Sequence, residues 1–363
     1  MPIKEKSFRI GCGRYLQENG IISALGEEVK RLGTAPIVVG GKTALSITKN
    51  AIEGSLGAAC DKYEIIEHRR SCNEEDAQRL ATLAQNKGLD VIVGVGGGVI
   101  MDFSKLIGYY AKLPVINVPT SSATCAAYTP LSVRYTPDGR TVGSLHYGYE
   151  VNAVIADSKI IATQPNRLLI SGIFDSLAKF IEIKQRFNEE CTEYPLGLDW
   201  AYTISVKSFK KLVEDAEKCI DDIRAGNITN TVEQIIFNII AVTGVISGIA
   251  RGSNQTALAH KFYEGTRAMF FEKSCQYLHG EIVGVGLLLQ NFFNGEPENN
   301  DFLLSLMKRY NMPCCIEDVG IPANDTAKKL YFEKLKSGSA IDENNPEELK
   351  KLQEGLDYLW QLK

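Results

Sequence analysis

Two histidines and one aspartate with the chemistry of metal ligands lie in apolar segments of the second half of the sequence. His260 occurs in TALAHKFYEG, His279 in QYLHGEIVGVG and Asp175 in LLISGIFDSLAKFIE. An imidazole or a carboxylate is costly to bury unless it is hydrogen-bonded or bound to a metal. Together they would provide three ligands and leave a fourth position open, as in catalytic metal sites. The alternative is a pair of hydrogen-bonded core histidines, since their spacing is not that of an HExxH motif.

A glycine-rich loop, GVGGGVIMDFSK, follows a strand-like run and opens a helix-like one. Gly96, Gly97 and Gly98 would let backbone N–H groups approach a phosphate at the positive end of that helix. Val99 removes the last glycine of a GxGxxG motif, and no Walker A lysine follows. The loop therefore predicts a phosphate cradle, with a tight turn that binds no ligand as the alternative.

A second strand–glycine–helix junction, IVVGGKTAL, occurs earlier in the chain. In dinucleotide folds, an acid at such a strand end holds the ribose 2′-hydroxyl of NAD. Here Gly41 and Lys42 replace an acid with a cation, which would tolerate the 2′-phosphate of NADP. The alternative is a plain turn with a solvated lysine.

The elements that must position these residues change in character near residue 163. Before it, β-branched runs such as APIVVGG and PVINVPT alternate with helical patterns, which predicts a parallel sheet covered on both faces. RYLQENGIISALGEEVKRLG is predicted to be helical, and LSVRYTPDGRTVGSLHYG to be a hairpin. From Asn166 onward the patterns are helical. We therefore predict an α/β domain at 1–163 and a helical domain at 164–363.

Composition and charge exclude several classes of partner. The chain has 363 residues and a net charge of −4, which argues against nucleic acid and acidic membrane surfaces. Its 9 cysteines are an odd number without a CxxC pair, so we expect no disulfide framework and a cytoplasmic location. Apolar runs such as VGVGLLLQ are too short to span a bilayer. We expect a small-molecule substrate.

Five segments together resemble the glycerol dehydrogenase branch of the group III, iron-containing-type alcohol dehydrogenases. They are GVGGGVIMDFSK, VPTSSATCAAYTPLSV, GIFDSLAKFIE, ALAHKFYEG and LHGEIVGVG. The resemblance implies an N-terminal Rossmann-like dinucleotide-binding domain and an all-α C-terminal domain, in a dehydroquinate synthase-like fold. It places the active site in the cleft between these domains and implies a homo-oligomer.

The same resemblance assigns roles to individual residues. Asp175, His260 and His279 match the ligands of the divalent metal, which is zinc in glycerol dehydrogenases. The cofactor-binding matches are Gly96, Gly97, Gly98 and Asp102 for the pyrophosphate, Thr120, Ser121 and Thr124 for the phosphate and nicotinamide, and Thr129, Leu131 and Tyr135 for the nicotinamide.

Three positions depart from the family pattern. Val99 stands where a lysine is usual, and Gly41 stands where NAD-preferring members have an aspartate. Cys125 replaces the aspartate that binds polyol hydroxyls, which makes glycerol a doubtful substrate. The ATCAAYTPLSV loop resembles instead a hydroxycarboxylate dehydrogenase branch that reduces 2-oxo acids with NADPH. Cys125 as a fourth metal ligand, or as an oxidation-sensitive thiol, is an alternative.

The resulting hypothesis is a metal-dependent NAD(P)-linked oxidoreductase that interconverts a small alcohol or 2-hydroxy acid with its carbonyl. An anionic substrate would need a nearby cation, for which the candidates are Arg134, Lys179, Arg251 and Lys261. Glycerol dehydrogenase proper and a nucleotide-binding module that has lost catalysis are the alternatives. Enzymes of the dehydroquinate-synthase and glycerol-1-phosphate types are disfavoured, because the site-bearing segments lack clustered Lys and Arg.

Overall fold

The computed structural model describes residues 10–69, 71–137, 139–187, 197–250 and 256–363. Its contacts divide the chain into two units. Of the described residues, the sheet unit contains 10–169 and Val213–Gly244, and the helical unit contains Ile170–Leu212 and Val245–Lys363. The predicted α/β and helical parts are thereby confirmed as a fold class. The boundary between 163 and 164 stays a prediction.

The strands of the described residues all lie in the sheet unit. They are β1 (Tyr15–Glu18), β2 (Pro36–Gly40), β3 (Glu64–Glu67), β4 (Val91–Gly96), β5 (Val115–Pro119), β6 (Leu131–Tyr135), β7 (Thr141–His146) and β8 (Ala153–Asp157). Six of them form a parallel sheet in the order β1-β8-β5-β4-β2-β3, and β6 pairs with β7 as the predicted antiparallel hairpin. Every residue of β2, β4, β5 and β8 is buried, as a sheet covered on both faces requires.

Helices connect these strands and make up the helical unit. They are α1 (Leu25–Leu32), α2 (Lys42–Gly57), α3 (Glu74–Asn86), α4 (Gly98–Ala111), α5 (Ser158–Ile161), α6 (Asn166–Lys184), α7 (Leu198–Arg224), α8 (Asn230–Phe237), α9 (Thr243–Ala250), α10 (Leu258–Met269), α11 (Phe271–Ser274), α12 (His279–Phe293), α13 (Asn299–Arg309), α14 (Asp325–Lys336) and α15 (Pro346–Gln361). Short 3₁₀ turns occupy Ile21–Ala24 and Glu317–Val319, and a π-helical turn occupies Asn238–Val242.

The core of the sheet unit is built from one face of the sheet and the helices packed on it. Val38, Val93 and Ile116 on the strands pack with Val29 of α1 and Ile52 of α2, all with no more than traces of exposed surface. Because these strands are buried on both faces, their β-branched side chains form the core. Polar groups that could bind a ligand therefore lie at the ends of the strands.

The chain before α1 differs from the prediction. The segment from Tyr15 to Glu18, predicted as helix, is strand β1, and the helix begins only at Leu25. β1 lies at an edge of the sheet and pairs in parallel with β8, Tyr15 opposite Val154. Pairing with a distant strand therefore overrides the local helical pattern.

The apolar segment near the end of the sheet unit also corrects an expectation. Asn230–Ala250 forms a continuous run of 21 residues through α8, the π-helical turn and α9, and its most apolar 18-residue window has a mean hydropathy of 1.7. By length and composition this helix could cross a bilayer, so the prediction that every apolar run is too short is wrong. However, 56% of its most apolar window is buried inside the protein, as in the core helix of a globular domain.

Candidate metal centre and cofactor cradle

The three predicted metal ligands meet at one point of the helical unit. Asp175 Oδ1 lies 3.3 Å from His260 Nε2 and 3.2 Å from His279 Nε2. One ligand atom from each residue falls within 4.8 Å of the others. A single carboxylate oxygen thus faces two imidazole nitrogens, an arrangement that a divalent cation would satisfy. Two imidazoles and a carboxylate suit both zinc and ferrous iron.

The three side chains differ in exposure. The side chain of His279 is 27% exposed, compared with 11% for His260 and 6% for Asp175. Tyr263 packs edge-on against the His279 ring, with the centroids 4.2 Å apart. Solvent, and therefore a small substrate, reaches the cluster from the His279 side.

Glycine at position 280 lets α12 start against α6. A Cβ atom at Gly280 would lie only 1.9 Å from the Ser171 carbonyl oxygen, and the Gly280 N–H donates to Ser171 Oγ at 3.1 Å. Ser171 precedes Asp175 by one helical turn on the same face of α6. Because α12 and α6 approach closely at Gly280, the neighbouring residue His279 lies next to Asp175.

Another glycine brings α12 against α10. A Cβ atom at Gly286 would lie 2.8 Å from the carbonyl oxygen of Ala259, the residue before His260. Any side chain at this position would push the two helices apart. The small residues of LHGEIVGVG therefore act as contact points between the helices that bear the ligands.

Glu182 is a site residue that the sequence analysis missed. Its carboxylate is fully buried and accepts hydrogen bonds from His260 Nδ1 at 2.5 Å, from the His260 N–H at 2.9 Å and from the Ala257 N–H at 2.7 Å. It thereby caps the start of α10 and directs His260 Nε2 toward Asp175. Glu182 follows Asp175 by two turns of α6, a spacing that places both on one face and could have signalled the pair.

Burial and charge oppose each other at this cluster. Burial alone would raise the pKa of Asp175, but His279, His260 and Lys179 outweigh it and hold that pKa well below its usual range. Burial would likewise raise the pKa of Glu182, but His260 and Lys179 lower it. Burial would lower the pKa of His260, but chiefly Glu182 raises it to about 9. The carboxylates are therefore ionised, as metal ligands and their hydrogen-bond partners must be.

Six of the predicted cofactor residues lie at the carboxyl ends of two neighbouring strands, β4 and β5: Gly96, Gly97, Gly98, Thr120, Ser121 and Thr124. The Thr120 N–H donates to the Gly96 carbonyl at 2.9 Å. A Cβ atom at Gly97 would lie 3.2 Å from Ser121 Oγ, and one at Gly98 would lie 3.1 Å from Thr124 Oγ1. Side chains on these glycines would fill the space between the two loops, so their absence leaves a cradle.

This cradle lies next to the point where the strand order reverses. The chain runs from β2 outward to β3 and then returns to β4 on the other side of β2, so the switch lies between β2 and β4. Parallel sheets bind ligands outside the carboxyl ends at such points. Gly97 caps α4 and Gly41 caps α2, neither with a side-chain hydrogen bond, so the first N–H groups of both helices can meet an anion.

The junction at Gly41 has room for the acid that the sequence lacks. A Cβ atom at Gly41 would meet nothing within 4 Å, and Lys42 beside it is exposed. The glycine is therefore not required by packing.

Asp102 lies away from the cradle, inside the sheet unit. Its Oδ2 accepts from the Val133 N–H at 3.0 Å, and its Oδ1 lies 2.9 Å from the Lys105 ammonium. Burial raises the pKa of Asp102, although Lys105 and the Val133 N–H oppose the shift. Oδ1 has no hydrogen-bond partner among the described residues despite its closeness to the ammonium, and a contact of Asp102 with the pyrophosphate stays a prediction.

The remaining predicted residues surround the loop after β5. Cys125 is half-buried at the start of a turn, and the carbonyls of Thr129 and Leu131 both accept from Lys105. Tyr135 is half-buried and donates its N–H to the Cys72 carbonyl at 2.9 Å. Their contacts with a cofactor or substrate stay a prediction.

The predicted cations differ in availability. Arg134 is paired with Glu74, and Lys261 pairs with Glu264 at 2.7 Å. Lys179 is 4% exposed and lies one turn after Asp175 on α6. Arg251 lies outside the described residues.

Comparison with known proteins shows which enzymes this chain is similar to. The model of the iron-containing alcohol dehydrogenase family matches residues 12–158. Glycerol dehydrogenase of Thermotoga maritima is 29% identical over 315 residues, which cover 85% of this chain and 84% of that protein. Hydroxycarboxylate dehydrogenase A of Escherichia coli is 29% identical over 294 residues, covering 79% and 78%.

The fold agrees with these sequence relations. The crystal structure of glycerol dehydrogenase from Schizosaccharomyces pombe superimposes with a TM-score of 0.84 at 24% identity, covering 99% of this chain and 92% of that one. The resemblance predicted from the motifs is confirmed: this chain is similar to glycerol dehydrogenases and to a hydroxycarboxylate dehydrogenase, and part of it matches the iron-containing alcohol dehydrogenase family, as expected of an oxidoreductase of this type.

Proposed function

We propose that the protein is a metal-dependent, NAD(P)-linked dehydrogenase that interconverts a small alcohol or 2-hydroxy acid with its carbonyl compound. The observation that carries this proposal is the convergence of Asp175, His260 and His279 within 4.8 Å, with one side of the cluster partly exposed. These residues would hold one divalent metal, which we expect to be zinc rather than iron. When bound, the metal would supply Lewis-acid polarisation of a substrate oxygen.

The protein's own residues prepare this chemistry. Glu182 holds the Nδ1 proton of His260, so that Nε2 is the nitrogen that would bind the metal once it has released its own proton. The N–H groups at the start of α4 would bind the pyrophosphate of a dinucleotide, which supplies the hydride chemistry. Gly41 and Lys42 leave space and positive charge for a 2′-phosphate, so we favour NADP(H) over NAD(H).

The substrate class is inferred from position 125. A thiol in place of the usual aspartate removes a negative charge and a polyol-binding group from the substrate loop. That change favours an anionic 2-oxo acid over glycerol, and buried Lys179 beside Asp175 adds positive charge near the metal ligands. The relatives do not distinguish glycerol from a 2-oxo acid as the substrate, because a glycerol dehydrogenase and a hydroxycarboxylate dehydrogenase both share 29% sequence identity with this chain. Glycerol dehydrogenase proper is the second candidate.

A substrate and cofactor panel tests the proposal. NADH and NADPH would each be assayed with 2-oxobutyrate, 2-oxoglutarate, oxaloacetate, dihydroxyacetone and simple aldehydes, after loading the protein with zinc or iron. We expect the highest kcat/KM with NADPH and a 2-oxo acid. Turnover with dihydroxyacetone and NADH alone would refute the 2-oxo acid assignment. Absence of turnover in every pair, with the His279→Ala variant as blank, would favour a nucleotide-binding module. From the resemblance and the composition we also propose a homo-oligomer located in the cytoplasm.

A further inference from the structure

A single buried ammonium holds the loop that carries Cys125. Lys105 is 2% exposed and lies on α4, the helix that starts at the phosphate cradle. Its Nζ donates to the carbonyl oxygens of Ala126 at 2.7 Å, of Thr129 at 2.9 Å and of Leu131. The carboxylate of Asp102 lies 2.9 Å from the same nitrogen. The carbonyls of Ala126 and Thr129 belong to the non-repetitive segment between β5 and β6, and Leu131 is the first residue of β6.

The rest of this segment is also bonded inward. The Cys125 carbonyl accepts from the N–H groups of Tyr128 at 2.9 Å and of Thr129 at 3.3 Å, which closes a turn. Asn117 Nδ2 donates to the Ala127 carbonyl at 3.0 Å. A loop whose carbonyls are satisfied by buried donors has few alternative conformations of similar energy.

A second anchor lies on the other side of the loop. The Tyr128 ring is 8% exposed and rests on Gly244, where a Cβ atom would approach to 2.3 Å. Its hydroxyl donates to the Ile10 carbonyl at 3.1 Å, and a Cβ atom at Gly11 would lie 2.7 Å from the same hydroxyl. Tyr128 can therefore enter only because two glycines make room for it.

We propose that Lys105 is a positioning residue that fixes the Cys125 loop and ties it to the helix of the phosphate cradle. The three protons of an ammonium match the three carbonyl oxygens around this nitrogen, and the Asp102 carboxylate beside it balances the charge without accepting a hydrogen bond from it. A methionine would fill the space but leave these oxygens without a donor. The loop's contact with substrate and cofactor rests on the proposed function, whereas its conformation does not.

The test measures loop opening directly by hydrogen–deuterium exchange with mass spectrometry, without substrate. The wild type is compared with Lys105→Met and with Lys105→Met/Asp102→Asn, in which the companion carboxylate is also neutralised. We expect slow exchange of the Tyr128 and Thr129 amides in the wild type and at least about tenfold faster exchange in both variants. Exchange in α3 serves as the internal control and should not change.

Two results would overturn the proposal. One is fast exchange of the loop amides in the wild type, which remains informative even where both variants fail to fold. The other is a folded variant whose loop exchanges as slowly as the wild type. In folded variants, KM for the carbonyl substrate should rise several-fold more than Kd for NADPH, whereas general damage would change both alike. If no substrate were turned over, the proposed function would be refuted, but the hydrogen–deuterium exchange result would still test the role of Lys105 in the loop.

Discussion

Replacing Glu182 with glutamine should lower the metal affinity, although none of the three metal ligands is replaced. The glutamine oxygen can still accept from the Ala257 and His260 N–H groups, as the carboxylate does. The glutamine NH₂ group would then face His260 Nδ1. In the variant Nδ1 would accept a hydrogen bond from this NH₂ group, whereas in the wild type Nδ1 donates one to the carboxylate. A neutral imidazole with an acceptor at Nδ1 carries its proton on Nε2, the atom that faces Asp175. The favoured tautomer would therefore block the ligand nitrogen.

The expected loss of metal affinity follows from the reversed hydrogen bond between His260 Nδ1 and residue 182. Residues that hydrogen-bond to metal ligands contribute about 10- to 100-fold to the metal affinity, which corresponds to about 1.4–2.7 kcal/mol. Because Glu182 is fully buried and solvent cannot replace it, we expect the upper half of this range. Glu296→Gln is the matched control, since it removes a carboxylate of the same unit that pairs with Lys184 at 2.6 Å.

The assay is competition for zinc between the metal-free protein and a chromogenic chelator, with circular dichroism as the check on folding. Cobalt loading gives a second readout, because its visible spectrum reports the ligand set. Glu182→Gln should lower the zinc affinity at least about thirtyfold, and the affinity of Glu296→Gln should stay within about twofold of the wild type. A folded Glu182→Gln protein that binds zinc as tightly as the control would refute the tautomer argument.

Four further predictions concern the ligands, protons, cofactor and packing. His260→Ala and His279→Ala should each lose bound metal and activity while circular dichroism is retained; full metal content would contradict the assignment. Because Glu182 raises the pKa of His260 to about 9 against the effect of burial, a metal must displace a proton below that pH. Zinc uptake at pH 7 should therefore release a proton, and affinity should fall about tenfold per pH unit as the pH drops; calorimetry in buffers of different ionisation enthalpy measures this. Gly41→Asp should shift the NADPH/NADH ratio of kcat/KM toward NADH at least about tenfold through repulsion of a 2′-phosphate, and an unchanged ratio would remove Gly41 from the cofactor site. Gly280→Ala should lower the free energy of unfolding by about 1–3 kcal/mol, because its Cβ would collide with the Ser171 carbonyl; denaturant unfolding with Gly54→Ala as control tests it.

The residues that sequence reasoning found are those whose chemistry conflicts with their surroundings. Asp175, His260 and His279 are polar groups in apolar segments, and that conflict is visible without a structure. Glu182 has only the weaker signal of its spacing from Asp175, since a glutamate near the end of a helix is usually solvated. Its function depends on hydrogen bonds to residues 75 and 78 positions away.

At β1 the local pattern predicted the wrong element, and at Asp102 the sequence did not indicate the contacts within the protein. Asp102 follows the glycine loop in sequence, yet its carboxylate turns inward to Lys105 and Val133. Tyr15–Glu18 is too short for its periodicity to distinguish strand from helix, and only pairing with β8 decides it. The alternation of strands and helices from β2 to β5 was predictable because hydrophobic burial there is strong and repeats regularly.

The origin of the three ligands on α6, α10 and α12 has a consequence for the lifetime of the protein. An ion held there would act as a cross-link between helices that are distant in the chain, and it would bind the folded state only. At a free metal concentration of about a thousand times Kd, such linkage adds about 4 kcal/mol to the free energy of unfolding. That amount is a large part of the 5–15 kcal/mol typical of a whole domain. Chains made when metal is scarce would then be the first to unfold and be degraded, so metal supply would set the abundance of this enzyme as well as its activity.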